Sequence, residues 1–83
     1  MAYSIQFALP APAHVRIAVF DSRAALVKVL FDSDEPATVA GYFRTPPIEW
    51  DFTDAHGALV KPGPYRLYFK AEDYTSTSDV VYP

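Results

Sequence analysis

The segment 48–71, IEWDFTDAHGALVKPGPYRLYFKA, contains the residue types that active sites use. Trp50, two aspartates and His56 lie within one short span, and Lys61 follows. Nucleophilic catalysis, however, requires a nucleophile, a base and an orienting group in mutual contact. The chain has no cysteine, and its only other histidine is His14. We expect His14 to open a strand and His56 to lie in an exposed turn, and we predict that the protein is not an enzyme.

Two acidic groups offer oxygen ligands of the kind that Ca²⁺ prefers. Asp32, Asp34 and Glu35 form one group, and Asp51 with Asp54 forms the other. Neither group has the ligand spacing of a calcium-binding loop, in which a glycine makes the sharp turn. A glycosidase would need two carboxylates across a cleft, for which a domain of this size has little room. We interpret the first group as a solvated loop and the second as turn-capping residues, and we predict no metal and no cofactor.

Composition restricts the class of protein. A chain of 83 residues forms one domain, here 1–83, and a hydrophobic fraction of 51% is typical of a folded core. The net charge of −3 comes from scattered residues without a basic run. Nucleic-acid grooves need clustered Lys and Arg, so no nucleic-acid partner is expected. No apolar run approaches the roughly 20 residues of a transmembrane helix, so we predict no membrane span.

Apolar residues recur with period two along most of the chain, which indicates strands. The run LVKVLF at 26–31 fits either a strand buried on both faces or a strand with a bulge. The polar segment 32–41 is predicted to be a loop, and the helical periodicity of 23–31 is outweighed by its proline-flanked neighbours. The fold class predicted is all-β, a seven-stranded antiparallel immunoglobulin-like β-sandwich. The predicted strands are 3–9, 14–21, 26–31, 42–45, 48–52, 65–70 and 75–82.

The alternation also divides the strand residues between a core and an outer surface. Asp54 and Gly57 are expected to close a tight turn, and Gly63 lies in a rigid Pro-Gly-Pro corner. The predicted core consists of Val15, Ile17, Val19, Trp50, Tyr65, Leu67 and Phe69. The residues predicted to face away from this core, as an interaction surface, are Phe20, Arg66, Tyr68, Lys70 and Tyr82.

The order of these motifs resembles the FlgD-type immunoglobulin-like domain. The resemblance is carried by FALPAPAHVRIAVFD (7–21), EWD (49–51), DAHG (54–57) and PGPYRLYFKA (62–71), together with Leu26, Val27, Leu30 and Gly41. The chain departs from the family pattern where Ala24 or Ala25 replaces a turn glycine and Phe52 replaces the glycine after Trp-Asp. Prolines also precede the tryptophan strand.

The resemblance implies a non-catalytic accessory or structural module of a bacterial secreted, surface or flagellar-assembly protein. Its partners would be adjacent domains of a parent protein or another chain. We expect the chain to be a module of a longer protein, exported or displayed on the bacterial surface, with the export signal outside these residues. The alternative function is a carbohydrate-binding module of the same fold, in which exposed aromatic residues would bind a glycan.

Overall fold

The computed structural model describes residues 2–83 as a small all-β domain with six antiparallel strands in two sheets. The first sheet has two strands, and the second has four strands in the order β3-β2-β5-β6. Within the described residues there is no helix long and apolar enough to cross a membrane. The strands are β1 (Tyr3–Ile5), β2 (Ala13–Asp21), β3 (Leu26–Glu35), β4 (Ile48–Trp50), β5 (Gly63–Ala71) and β6 (Tyr74–Tyr82).

The arrangement is sandwich-like, but it has six strands in residues 2–83 and not the seven predicted. Residues 42–45 do not form a strand, and a single backbone bond from Arg44 N–H to the Phe7 carbonyl (2.8 Å) holds this segment against the N-terminal one. The next two residues are Pro46 and Pro47, which have no N–H group to donate to a ladder. A sheet pairing therefore cannot continue along this segment.

The prediction of a loop beginning at residue 32 is wrong. Asp32–Glu35 form the end of β3, and they pair with Ala13–Arg16 of β2. The outward side chains on the two strands have opposite charge, since Asp32 lies opposite Arg16 and Asp34 lies opposite His14. Cross-strand pairs of this kind stabilise an antiparallel ladder, which is why an acidic segment is a strand here.

Two irregularities in the β2–β3 ladder determine which side chains of residues 26–31 face the core. The register shifts between Ile17 and Ala18 and again between Val19 and Phe20. Leu30 and Val27 are the two extra residues on β3, and both pack against the core. A β-bulge places two residues of one strand opposite one residue of its partner. The bulges therefore let more apolar side chains reach the core than strict alternation would allow.

The core lies between the two sheets and has two clusters of buried side chains. One is centred on Phe7, Leu9, Val15 and Ile17, and the other on Trp50 with Val19 and Leu67. Of the residues predicted as core, Val15, Ile17, Val19, Trp50 and Leu67 are buried, and Tyr65 and Phe69 are partly buried against the clusters. The Trp50 indole N–H donates to the Thr53 carbonyl (2.9 Å), so its polar group is satisfied inside the core.

Two turns of the same design lie at one end of the domain, one between β2 and β3 and the other within the link from β4 to β5. In the first, the Asp21 carboxylate accepts the N–H groups of Arg23 (2.8 Å) and Ala25 (3.0 Å). In the second, the Asp54 carboxylate accepts those of His56 (2.8 Å) and Ala58 (3.1 Å). The left-handed position is Ala24 (φ 62°) in the first turn and Gly57 (φ 83°) in the second. An alanine thus occupies a conformation that glycine adopts more readily.

Candidate functional site: the outer face of the four-stranded sheet

One face of the four-stranded sheet packs on the core, and the other, which we call the outer face, carries most of the residues predicted as an interaction surface. The β2–β5 ladder is regular, so residues paired across it lie on the same face. Ala18 pairs with Tyr68, Phe20 with Arg66, and Arg16 with Lys70. The outer face therefore contains Phe20, Arg66, Tyr68 and Lys70 of the predicted set.

The centre of the outer face is apolar. The Phe20 and Tyr68 rings meet edge to face, with centroids 6.3 Å apart and planes at 88°. Ala18 is only 1% exposed, although it points away from the core, because Val29 and Tyr68 flank it in the ladder. Val29 and Tyr68 form a continuous apolar surface over this part of the sheet, because their larger side chains cover Ala18.

Exposed aliphatic residues extend this apolar surface toward both edges of the sheet. Leu26, opposite Phe20 on β3, is 53% exposed, and Val81 on β6 is 71% exposed. Phe20, Pro64, Tyr68 and Val81 line a shallow hollow of about 590 Å³ on this face. Monomeric proteins rarely expose large contiguous apolar patches, and such patches commonly mark contact sites.

Charged side chains surround the apolar centre. Arg66 donates through Nε to the Asp79 carboxylate (3.0 Å), and both side chains are largely exposed. Arg16 lies 4.0 Å from Asp32 at the other end of the face. Exposed ion pairs of this type contribute little stability because water screens them. The Arg66 side chain thus remains largely exposed at the edge of the hollow.

Tyr82 does not belong to this surface. Its ring stacks on Phe52, with centroids 4.6 Å apart and an interplanar angle of 22°, and it packs against the Trp50 cluster. The two-residue turn between Ala71 and Tyr74 determines which side chains of β6 face the core, and it directs Tyr82 to the inner face of the sheet. The expectation that Tyr82 lies with Tyr68 is therefore wrong.

The polar end of the outer face holds a cluster that the sequence prediction missed. His14 contacts two carboxylates of β3, with Asp34 2.6 Å from Nδ1 and Asp32 in close contact with Nε2. These hydrogen bonds, first to Asp34 and then to Asp32, raise the pKa of His14. The His14-x-Arg16 and Asp32-x-Asp34 spacings are the sequence signal for this cluster, since each places its charges on one face of a strand, but only the register between β2 and β3 brings the two pairs together.

The second histidine lies in a separate, open hollow of about 490 Å³ with Asp21 and Asp54. Both carboxylates accept two backbone N–H groups in the turns described above. The bonds from His56 and Ala58 lower the pKa of Asp54, which keeps it ionised and bound to the turn. These two carboxylates therefore hold the turns in place.

The acidic residues considered as calcium ligands also have protein partners. Glu35 accepts from Arg44 Nε (2.8 Å), and Asp51 accepts from the Thr53 amide (3.2 Å). The Thr53 hydroxyl also binds Asp51 and lowers the pKa of its carboxyl group. Among residues 2–83 no group of three or more His, Asp or Glu side chains has an arrangement that could hold a metal ion.

Comparison of the chain with known proteins gives no match to a protein-family model, to a curated protein or to a solved structure. The fold of this chain, a small antiparallel domain of two sheets, is given by its own structure.

Proposed function

We propose that the chain is a non-catalytic immunoglobulin-like module that makes protein–protein contacts or sets spacing in a bacterial secreted, surface or flagellar-assembly protein. The observation that carries the proposal is the exposed apolar centre of the outer face, with the Phe20–Tyr68 pair flanked by Leu26 and Val81. The motif order that resembles FlgD-type domains supports the same class. The partner would be an adjacent domain or another protein chain.

The composition of this face suits a protein partner. Contact sites obtain most of their binding free energy from a few aromatic and arginine residues surrounded by weaker contacts. Here Tyr68 and Phe20 supply the aromatic groups, and Arg66 lies beside them with its guanidinium exposed. A partner with an apolar centre and a carboxylate opposite Arg66 would complement it.

The alternative of a carbohydrate-binding module is less well supported. Binding by stacking requires aromatic rings that offer their flat faces side by side to a sugar chain. The Phe20 and Tyr68 rings are instead perpendicular, and the only tryptophan, Trp50, is fully buried. A glycan array is the measurement that separates the two functions, since glycan binding lost in Tyr68→Ala would favour the alternative.

Site-specific photo-crosslinking tests the proposed contact. A photoreactive phenylalanine analogue placed at position 68 is expected to crosslink the full-length protein, in its source bacterium, to one discrete protein or domain. The control position is Val39, which is 72% exposed and lies outside the outer face. Equal crosslinking from positions 68 and 39, or none from position 68, would overturn the proposal.

A further inference from the structure

The two edges of the four-stranded sheet differ in how they are protected. The edge strand β3 has two register shifts and carries Lys28, Asp32, Asp34 and Glu35. Bulges and charged side chains are the devices by which natural proteins prevent an edge strand from pairing with another chain. The β3 edge is thus blocked against strand addition.

The opposite edge strand, β6, has no bulge and only one charged side chain. Its nine residues pair with β5 without a register shift, and its sequence, YTSTSDVVY, has no proline, no lysine and one charge, Asp79. That charge is already paired with Arg66 on the same sheet. A long, regular and nearly uncharged edge presents its free N–H and C=O groups to another strand.

We propose that β6 pairs antiparallel with β6 of a second copy of this chain, in the register that places Ser78 opposite itself. Ser78 is the midpoint of Tyr74–Tyr82, so this register pairs all nine residues and joins the two sheets into one of eight strands. Such a contact has twofold symmetry, with the same surface used by both copies. It uses the edge of the sheet and does not depend on the outer face.

The side chains of β6 fit this register. Tyr74 of one copy lies opposite Tyr82 of the other, and cross-strand aromatic pairs stabilise antiparallel ladders. Tyr74 is 63% exposed in the single chain, so pairing would cover an apolar side chain that the domain leaves open. Asp79 lies opposite Thr77 of the second copy, so no like charges meet. A register centred on Asp79 would instead bring two carboxylates together.

A charge-swap experiment tests both the partner and the register. In this register Ser78 of one copy lies opposite Ser78 of the other. Ser78→Lys and Ser78→Asp should therefore each disrupt self-pairing through like-charge repulsion. An equal mixture of the two variants should restore a dimer, because opposite charges then meet. Val39→Lys is the matched control, since it adds the same charge at an exposed loop position. Circular dichroism verifies that each variant is folded, and sedimentation equilibrium gives its mass.

The expected result is a dimer of the native chain and of Val39→Lys at about 0.5 mM, a concentration that populates even weak complexes. Each Ser78 variant alone should be a monomer, and the mixture should contain a heterodimer. A native chain that remains monomeric at this concentration overturns the proposal. A dimer that persists in both Ser78 variants overturns it as well, because the contact would then lie elsewhere.

Discussion

The Phe20 and Tyr68 rings meet edge to face on the outer side of the four-stranded sheet, 6.3 Å apart. The pair lies on adjacent strands, two residues diagonal to each other, because Tyr68 pairs with Ala18 and Phe20 pairs with Arg66. Both rings are partly buried by each other and by their neighbours, yet no other layer of the domain covers them. The pair thus contributes to the stability of the sheet and remains available for contact.

A double-mutant cycle should detect this aromatic pair. We expect Phe20→Ala and Tyr68→Ala to show a coupling free energy of about 0.5–1.5 kcal/mol, as edge-to-face pairs do. Urea unfolding of the native chain, both single variants and the double variant measures it. The matched control is the cycle of Phe20→Ala with Tyr42→Ala, an exposed residue outside the sheet, which should be additive. Additivity of the Phe20 and Tyr68 changes would contradict the pairing.

Trp50 should be the residue whose loss most weakens the fold. It is fully buried, contacts Phe52 and Tyr65, and donates a hydrogen bond to Thr53. We expect Trp50→Ala to lower the free energy of unfolding by about 3–5 kcal/mol, which is the usual cost of truncating a large buried aromatic side chain. Thermal and urea unfolding measure the loss. A cost near that of Tyr42→Ala would show that Trp50 does not support the core.

The two aspartate turns offer a reciprocal test of backbone strain. Ala24→Gly should raise the free energy of unfolding by up to about 1 kcal/mol, since it removes the left-handed penalty of a residue with a side chain. Gly57→Ala should lower it by a similar amount, because a Cβ there meets no atom and adds only the conformational penalty. Both are measured by urea unfolding. If both substitutions raised the free energy of unfolding, or both lowered it, the two turns would not share the same geometry.

The cluster of His14 with Asp32 and Asp34 predicts a specific pH dependence. The folded state raises the pKa of His14 above its ordinary value of 6.5. The stabilisation that it contributes is therefore complete below pH 6.5 and is lost as the pH rises through the folded-state pKa. His14→Gln should be less stable than the native chain at low pH, with the difference shrinking as the pH rises. A difference that stays constant across this range would contradict the prediction, and NMR titration of His14 gives its pKa directly.

The sequence predicts much of this fold because its apolar residues alternate clearly. Val15, Ile17 and Val19 share a face with period two, and the strand around Leu67 does the same, which is a direct consequence of strand geometry. The all-β class and the positions of the long strands follow from that pattern. Where apolar and polar side chains do not alternate, the sequence does not predict which side chains face the core.

Tyr82 and the segment 32–35 show what the alternation of apolar residues could not predict. Residues 75–78 of β6 are all serine or threonine and do not distinguish the two faces of the strand. The length of the turn after Ala71 therefore determines which face Tyr82 takes, and that length is a property of the folded chain. Asp32–Glu35 have no apolar alternation, and their pairing depends on basic partners on β2. For the outer face, Phe20, Arg66 and Tyr68 were predictable from alternation, whereas the His14 cluster required the register between two strands.

Hydroxyl-radical footprinting shows directly whether a partner covers the outer face. Labelling of Phe20 and Tyr68 is compared between the isolated chain and the full-length protein in its native assembly, with exposed Tyr42 as the internal reference. We expect labelling of Phe20 and Tyr68 to fall severalfold in the assembly while labelling of Tyr42 is unchanged. Equal labelling of Tyr68 in both states would contradict the claim that the outer face is a protein contact surface.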